Sequence, residues 1–401
     1  MVINWDILSI LVFYVIILFL YFRYKNRFQT QGILLLYRTK LGLRLMDTIA
    51  LKFPRFVTFL AYAGVFVGFT GMVFILYTLV IETWKLIFVP GTAPALAPLL
   101  PGVQIAGAPT LSFWHWILAI FVVAVIHEFS HGVVARLFHV PIKSSGVAFF
   151  GPILGAFVEP EETELEKISI WKQISVFAAG PFSNMLSGAL VLLVITLIFV
   201  PLVSQLYQAN GITVTAVVDG YPMNQTGIDV PFTISGVNGN QTLAFVSFLD
   251  TLSAAAPGET MLLETNKGNY SVTPVANPDD PTKAFLGVSG LEQEVVLKEQ
   301  FASLEPLRPV LDWLQLFLIW LFLIHIGIGL FNLLPLGPLD GGRMFYAVAF
   351  AIVKDTKKAK RALMLSTTLC LVLIIINFLP WLNKLFTWLF GTFVSLLTFL
   401  F

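Results

Sequence analysis

The chain has 401 residues, of which 57% are hydrophobic and only 12% are charged. This composition excludes an ordinary soluble enzyme and is typical of an integral membrane protein. The formal net charge of +1 favours neither nucleic acid nor an acidic substrate as a partner. The single cysteine, Cys370, excludes an internal disulfide and lies in an apolar run, so we interpret it as a small core residue.

Apolar runs long enough to cross a bilayer predict at least six membrane-spanning helices. They lie near residues 5–22, 57–80, 113–138, 174–202 and 310–334, followed by a hydrophobic tract from about residue 366. This last tract is either one span with an interfacial helix or two short helices hinged near Pro380. The first run has its basic cluster behind it and no small-residue cleavage site, which predicts a retained helix rather than a signal peptide.

The distribution of Lys and Arg predicts the orientation of the spans. Eight basic residues lie between positions 23 and 55 and a second cluster lies at 354–361, whereas segments 84–112 and 203–309 carry few. Because short cytoplasmic loops are enriched in Lys and Arg, the first two segments are predicted to be cytoplasmic and the other two to lie outside. The Pro- and Gly-rich stretch 89–109 is predicted to form an irregular loop at the outer surface.

Residues 211–290 differ in character from the rest of the chain. Short alternating apolar runs, Gly turns and charges predict a soluble β-rich or α+β module. A strand ending at Gly-Tyr-Pro, an Ile-x-x-Val-Asn-Gly hairpin, one helix and a Pro-Gly-Glu turn into two strands resemble a PDZ domain. The likeness implies binding of extended peptides or chain ends by strand addition, and a generic β-rich spacer is the alternative interpretation.

The stretch "AVIHEFSHGVVARLF" at 124–138 places His127, Glu128 and His131 inside the third predicted span. On a helix, His127 and His131 share one face because they are four residues apart. Two such imidazoles bind zinc, and the carboxylate of the adjacent Glu128 activates water. If the span begins near Trp116, His127 lies about 16 Å along it, where uncoordinated polar groups are costly.

A catalytic zinc site usually takes three protein ligands, so a third ligand is expected elsewhere in the chain. The fifth predicted span is broken between Pro335 and Pro338 and is followed by Asp340. Irregular backbone at membrane depth indicates a cavity lined by protein or water. With Asn332 at its start, this segment reads N-x-x-P-x-x-x-x-D-G, and the chain resembles the site-two proteases, the zinc intramembrane metalloproteases.

The resemblance implies specific roles for residues in both halves of the core. Asp340 is the implied third ligand of one Zn²⁺, with His127 and His131 as the other two and Glu128 as the catalytic base. The stretch "AGPFSN" matches the family's Gly-Pro-x-x-Asn element, and 145–160 occupies the place of its membrane-dipping hairpin, which could pair with substrate as an added strand. The implied substrate-binding residues are Asn332, Pro335 and Asn184.

The predicted fold is therefore a polytopic α-helical membrane protein, with His-Glu-x-x-His on the third helix and an inserted PDZ-like domain. The predicted function is zinc-dependent endopeptidase action on the transmembrane segments of membrane-anchored proteins, in regulated intramembrane proteolysis. The expected partners are these substrates, the lipid bilayer and a peptide or chain end for the insert, with no nucleic acid. The expected location is a prokaryotic plasma membrane with the insert outside, where it either excludes bulky ectodomains or captures a chain end.

Two other classes of protein are the alternatives. A metal transporter would also need intramembrane His and Asp, but it has no evident use for Glu128 or for a peptide-binding insert. A non-catalytic membrane scaffold could lose the metal ligands, yet all of them are present. His325, on roughly the same helical face as Asn332, is either functional or a hydrogen-bonded packing residue.

The predicted segments follow from these assignments. They are 1–110, two helices and an outer loop; 111–204, the first half of the protease core; 205–300, the PDZ-like domain; 301–353, the second half of the core; and 354–401, a cytoplasmic basic segment with the C-terminal helix or helices.

Overall fold

The computed structural model describes residues 5–25, 28–31, 34–103, 105, 107–150, 153–278 and 280–400. The chain forms two compact units: a membrane unit of Met1–Ile195 and Trp313–Phe401, and an inserted unit of Thr196–Asp312. Among the described residues, six helices are long and apolar enough to cross a membrane, which supports a polytopic helical membrane protein. These helical segments are Ile7–Tyr24, Pro54–Phe88, Phe113–Leu137, Ile170–Leu206, Glu299–Asn332 and Thr356–Thr387.

The membrane unit consists of helices and one small sheet. In chain order, its first elements are α1 Trp5–Tyr24, β1 Phe28–Gln31, β2 Leu34–Thr39, α2 Leu43–Lys52, α3 Pro54–Phe88, α4 Phe113–Leu137, β3 Ile142–Phe150, β4 Ile153–Pro160, α5 Glu162–Leu165 and α6 Ile170–Val194. The inserted unit follows α6. After it come α10 Arg308–Asn332, α11 Asp340–Val353 and α12 Thr356–Leu400.

Three glycines let α3 pack closely against the helices that carry the polar motifs. A Cβ at Gly64 would lie 3.3 Å from Phe182 on α6, and one at Gly68 would lie 2.9 Å from Met344 on α11. A Cβ at Gly71 would lie 2.5 Å from the Leu333 side chain, in the turn after α10. Small residues at helix interfaces permit this approach in a membrane, where lipid tails are as apolar as the helices themselves.

A four-stranded antiparallel sheet in the order β1-β2-β3-β4 joins two distant parts of the membrane unit. The β3–β4 hairpin covers most of the predicted 145–160 segment, whose residues 151 and 152 lie outside the described residues. The first hairpin, β1–β2, was not predicted, and it pairs with β3 from Leu34 opposite Phe150 to Thr39 opposite Ser145. The Arg38 guanidinium on β2 donates to the Glu159 carboxylate on β4, with Nε at 3.2 Å from Oε2.

The described part of the stretch 89–109 forms neither helix nor strand, as predicted. Side chains from two helices hold its backbone in place. The Trp116 indole donates to the carbonyl of Leu99 at 2.8 Å, and the Ala95 N–H donates to the buried Asn377 side chain of α12 at 2.9 Å. An irregular backbone therefore obtains hydrogen-bond partners at the end of the helix bundle.

The two C-terminal predictions concern a helix break and a hinge. Helix α10 ends at Asn332, and α11 begins at Asp340, so the predicted break between Pro335 and Pro338 is present. Helix α12 instead continues through Pro380, so the structure has one long helix where a hinge was one alternative. The Asn377 amide donates to Thr83 of α3 at 2.6 Å, which ties this helix to the bundle just before the proline.

The inserted unit contains a sheet in the order β12-β5-β6-β8-β9, with β7 paired to β6. Its elements are α7 Val200–Leu206, β5 Tyr207–Val217, α8 Pro222–Gln225, β6 Phe232–Val237, β7 Asn240–Gln241, α9 Phe245–Ala254, β8 Met261–Thr265, β9 Gly268–Val272, β10 Val275–Ala276, β11 Ala284–Phe285 and β12 Val288–Leu297. A π-helical turn, Ile195–Phe199, precedes α7, and a 3-10 helix, Glu299–Leu307, follows β12.

The predicted strands, hairpin and helix of the insert occur in the predicted order. Asn238 and Gly239 both have positive φ, at 53° and 80°, as a two-residue hairpin turn between β6 and β7 requires. Phe248 of α9 is buried in an apolar core with Ile212, Ile234 and Leu263 from the sheet. Strand β12, which pairs with β5, was not among the predicted strands.

Candidate metal centre

Three side chains of the types that ligate metals converge in the membrane unit. His127 and His131 lie one helical turn apart on α4, and Asp340 is the first residue of α11. His127 Nε2 lies 3.0 Å from Asp340 Oδ2 and 3.1 Å from His131 Nε2, and His131 Nε2 lies 3.3 Å from Asp340 Oδ2. The three ligand atoms therefore form a nearly equilateral triangle.

This triangle has the size that a zinc ion needs. Tetrahedral ligands at about 2.0–2.1 Å from zinc lie about 3.3 Å from one another. The His131 Nδ1–H donates to the Val176 carbonyl at 2.6 Å, which leaves the lone pair of its Nε2 directed at the other two ligand atoms. Two ring nitrogens and a carboxylate oxygen thus converge on one point, and this donor set fits a divalent metal such as zinc.

Gly180 on α6 makes room for both imidazoles. A Cβ at this position would lie 2.4 Å from His131 Nε2 and 2.6 Å from His127 Nε2. Contacts this short are not tolerated between packed atoms, so any larger residue would displace the rings. The glycine of the Gly-Pro-x-x-Asn element is therefore required by the close approach of α6 to the two histidines.

The turn between α10 and α11 positions the third ligand. A Cβ at Gly341 would lie 2.2 Å from the Leu333 carbonyl oxygen, and one at Gly342 would lie 2.2 Å from that of Leu336. The two glycines after Asp340 thus allow the chain to fold back tightly onto the end of α10. This fold brings the first turn of α11, with its carboxylate, beside α4.

Glu128 lies next to this triangle and is held by the hairpin. Its Oε2 accepts the backbone N–H of Val158 on β4 at 3.0 Å. In the part of the chain that the structure describes, no hydrogen bond engages Oε1, so one carboxylate oxygen is available to a reacting molecule. A carboxylate with one fixed and one available oxygen is suited to proton transfer.

A cavity of about 590 Å³ surrounds the ligands and Glu128. Its wall includes Asn332, at the end of α10, and residues 156–160 of β4. The cavity is large enough for several residues of an extended peptide and combines acidic, basic and apolar surface. It therefore provides the protein-lined space that irregular backbone at membrane depth requires.

The profile of peptidase family M50 matches residues 115–376, more than half of the chain. The chain belongs to peptidase family M50. This family, which contains the site-two proteases, consists of membrane-embedded zinc metalloproteases. The family recognised from the sequence is thereby confirmed, and the family together with the six apolar helices supports a multi-pass integral membrane protein.

Two individual proteins are similar to parts of this M50 peptidase. An uncharacterized protein of Methanocaldococcus jannaschii is 26% identical over 237 residues, which cover 58% of this chain and only 56% of the relative's length. The PDZ domain of the SdrC-like protein from Listeria monocytogenes is 16% identical and covers 20% of this chain and 88% of that domain. Its TM-score of 0.19 is too low to assign the fold of the inserted unit.

The structure of this M50 peptidase brings together most of the residues predicted for the site. His127, His131 and Asp340 meet, while Glu128 and Asn332 line the same cavity. The other two predicted substrate-binding residues, Asn184 and Pro335, do not line this cavity.

Asn184 has no exposed surface, and its side-chain amide lies 3.0 Å from His127 Nδ1, on the far side of the ring from the metal site. Pro335 is buried in the turn, where its carbonyl accepts the Ser366 hydroxyl of α12 at 2.7 Å. Neither side chain faces the cavity, whereas Pro338 does. Substrate contact by Asn184 and Pro335 therefore stays a prediction, because sequence motifs do not report which side of a ligand a neighbour occupies.

Two features of this cavity were missed from the sequence. The Val158 N–H is a backbone group and carries no residue-type signal. Arg343, which also lines the cavity, stands with its guanidinium 5.6 Å from the centre of the Phe177 ring. A basic residue one turn after Asp340 was the available signal for this second feature, because a charge so close to a broken span needs a partner.

Proposed function

We propose that this M50 peptidase is a zinc-dependent endopeptidase that cleaves transmembrane segments of membrane-anchored proteins within the bilayer. The observation that carries the proposal is the triangle of His127, His131 and Asp340 with Glu128 in the same cavity. The three ligands would hold one Zn²⁺. When bound, zinc supplies a Lewis acid that polarises the scissile carbonyl and acidifies water.

Glu128 is the proposed general base and acid. Its available oxygen takes a proton from the attacking water, and the same carboxyl group delivers that proton to the leaving amine. The hydrogen bond from the Val158 N–H fixes the other oxygen during both transfers. The backbone of β4 thus orients the proton carrier.

The free edge of β4 is the proposed binding site for the unwound substrate. Val158 lies opposite Ser145 of β3, but its N–H points away from β3 toward Glu128. Backbone groups two residues away point to the same side of a strand, so Ala156 presents its N–H and carbonyl to the cavity. An extended substrate could pair with these groups and with the Asn332 side chain, which exposes peptide bonds otherwise hidden in a helix.

The direct test compares the wild type with Glu128→Gln on a tagged model transmembrane substrate in liposomes, with zinc content measured on both. We expect the wild type to cleave and the zinc-loaded variant to be inactive, since Gln cannot accept the proton. Equal cleavage by both proteins would exclude Glu128 as the base. Absence of cleavage by a zinc-loaded wild type on a panel of such substrates would contradict the proposed activity and favour a transporter or a scaffold.

Strand addition has its own test. Ala156→Pro removes one outward N–H, and an edge strand tolerates proline where the N–H makes no ladder bond. We expect a reduction of about fivefold in cleavage with zinc retained, because one hydrogen bond to a substrate contributes about 1 kcal/mol. Ala156→Ser, which keeps the N–H, is the matched control, and equal activity of the two variants would argue against pairing at this edge.

We further infer regulated proteolysis, with the inserted unit as a PDZ-like module outside the membrane that filters or captures substrates. The Lys/Arg distribution supports this orientation, and the relative from Methanocaldococcus jannaschii supports a prokaryotic plasma membrane. Orientation can be tested because Cys370 is the only cysteine. In a Cys370→Ala background, an impermeant maleimide should label Ser289→Cys in intact cells and Lys358→Cys only after permeabilisation; the reverse pattern would invert the topology.

A further inference from the structure

A line of buried polar side chains runs from the metal centre into the interface between α6 and α10. Asn184 of α6 is fully buried, and His325 of α10 is 1% exposed. The Asn184 amide lies against His127 Nδ1, the ring nitrogen that does not face the metal site. Within the described part of the chain, Asn184 Oδ1 and His325 Nδ1 are buried atoms with no hydrogen-bond partner.

The packing of the two helices places the side chains that carry these atoms on neighbouring turns of one interface. A Cβ at Gly329 of α10 would lie 3.3 Å from the Asn184 Cβ, and one at Gly188 of α6 would lie 3.3 Å from the His325 Cβ. Asn184 precedes Gly188 by four residues, and His325 precedes Gly329 by four, so the helices run antiparallel with these positions in register. Asn184 and His325 are therefore about one helical turn, roughly 6 Å, apart along the interface.

Metal binding decides which nitrogen of His127 carries the proton. A ligand imidazole presents its Nε2 lone pair, so its Nδ1 bears the hydrogen and needs an acceptor. Asn184 can supply that acceptor, because turning its amide by 180° exchanges Oδ1 for Nδ2 at no steric cost. After this rotation the Asn184 amide N–H groups occupy the position at which Oδ1 was buried without a hydrogen-bond partner.

We propose that Asn184 and His325 are positioning residues for the metal ligand His127, linked to each other through one buried water molecule. His127 Nδ1–H donates to Asn184 Oδ1, the Asn184 amide donates to the water, and the water donates to His325 Nδ1. Polar side chains at positions about 6 Å apart along the interface can be joined by a single water, which satisfies groups that would otherwise be buried unpaired. The inference rests on the proposed zinc site and is independent of which peptide is cleaved.

The test measures zinc affinity by chelator competition and the visible absorption of the Co²⁺-substituted protein, both without substrate. Losing a partner of a ligand histidine typically lowers metal affinity about 10- to 100-fold, which we expect for Asn184→Leu. Asn184→Asp keeps an acceptor for His127 and should stay within about threefold of the wild type, as in carboxylate–histidine–zinc arrangements. His325→Leu should lower affinity about three- to tenfold, and His325→Gln, which keeps an acceptor, should restore most of the loss.

A matched control separates positioning from packing. Ile326→Ala alters the same interface, since the Ile326 side chain would lie 2.7 Å from a Cβ at Gly188, but it removes no polar atom. We expect this variant to keep the zinc affinity and the Co²⁺ spectrum of the wild type. Wild-type affinity in both leucine variants, or an equal loss in Ile326→Ala, would overturn the inference.

The outcomes also distinguish this inference from the proposed function. If the wild type binds no zinc, both fail. If the wild type binds zinc and cleaves while both leucine variants match it, only the positioning role fails. If Asn184→Leu does not fold, the comparison of His325→Leu with His325→Gln still decides, because both keep the Asn184 side chain.

Discussion

The membrane unit and the inserted unit bury different kinds of side chain. In the described part of the inserted unit, the buried polar side chains are two threonines, Thr233 and Thr242, and the core is apolar. The described part of the membrane unit buries four histidines, two asparagines and several hydroxyl groups among its apolar helices. Buried polar groups are costly in both surroundings, so their concentration in one unit marks where the chemistry is expected.

This difference explains why the buried side chains of the membrane unit point to a function and those of the inserted unit do not. In the membrane unit each buried polar residue needs a hydrogen-bond or metal partner. The contacts lead from His127 to Asp340 and Asn184, and from His131 to Val176. In the inserted unit the core reports only that a sheet and a helix pack together. Its apolar core carries no signal of a ligand, so the role of this unit must be determined by experiment on the whole protein.

The largest expected effect is on the metal centre itself. Gly180→Ala places a methyl group within 2.4–2.6 Å of both ligand nitrogens, so we expect loss of bound zinc and a fall in cleavage of at least about 100-fold. Gly327→Ala is the matched control, because no atom lies within 4 Å of a Cβ at that position. For both variants, mass spectrometry measures the bound zinc and a model substrate measures the cleavage rate. A normal zinc content in Gly180→Ala would contradict the described packing.

A smaller effect is expected where the cavity meets the substrate. Asn332→Leu should reduce cleavage about 10- to 100-fold with zinc retained, because a hydrogen bond to the substrate backbone is lost and an apolar group takes its place. Phe331→Leu, at an exposed neighbouring position, should leave turnover unchanged. Steady-state cleavage and zinc content are compared for both variants, and full turnover by Asn332→Leu would remove this residue from the mechanism.

Excision of the inserted sheet would test how separate the two units are. Tyr207 and Leu297 are directly opposite in the β5–β12 pair, so a short Gly/Ser linker can replace residues 208–296 between them. We expect zinc content to be kept and cleavage of a substrate without an ectodomain to stay within about threefold, since the ligands all lie in the membrane unit.

The same variant tests whether the inserted unit excludes substrates with bulky ectodomains. A substrate that retains a bulky ectodomain should be cleaved faster by the excised form than by the full chain if the inserted unit excludes it. Continued rejection of that substrate would contradict the filter and leave capture of a chain end as the role of the unit. Loss of zinc on excision would show that the two units are not independent.

The smallest effect on catalysis is expected from the core of the inserted unit. Phe248→Ala removes a fully buried ring and should lower the stability of this unit by about 3–5 kcal/mol. Cleavage of a substrate without an ectodomain should not change. Val246→Ala on the exposed face of the same helix, where the side chain is 69% exposed, is the control. Thermal unfolding and zinc content are measured, and zinc loss in Phe248→Ala would break the proposed separation.

Much of the candidate site could be predicted from local sequence. The spacing of His127 and His131 fixes their common face once the segment is helical, and Asp340 stands out as a carboxylate beside a broken apolar helix. The apolar runs predicted the spans because a bilayer requires long, uninterrupted helices. These signals are local, since each depends on residues within one or two helical turns.

Only the tertiary structure decided which groups surround these ligands. The Val158 N–H on Glu128, the Asn184 amide on His127 and the pairing of β2 with β3 join residues 30, 57 and more than 100 positions apart. Helix α12 continues through Pro380, although proline inside an apolar tract is equally compatible with a hinge. By itself the sequence determined the ligand types, their spacing and the membrane spans. The three-dimensional packing decided the orientation of each ligand, because a backbone N–H or a rotated amide acts through position rather than through residue identity.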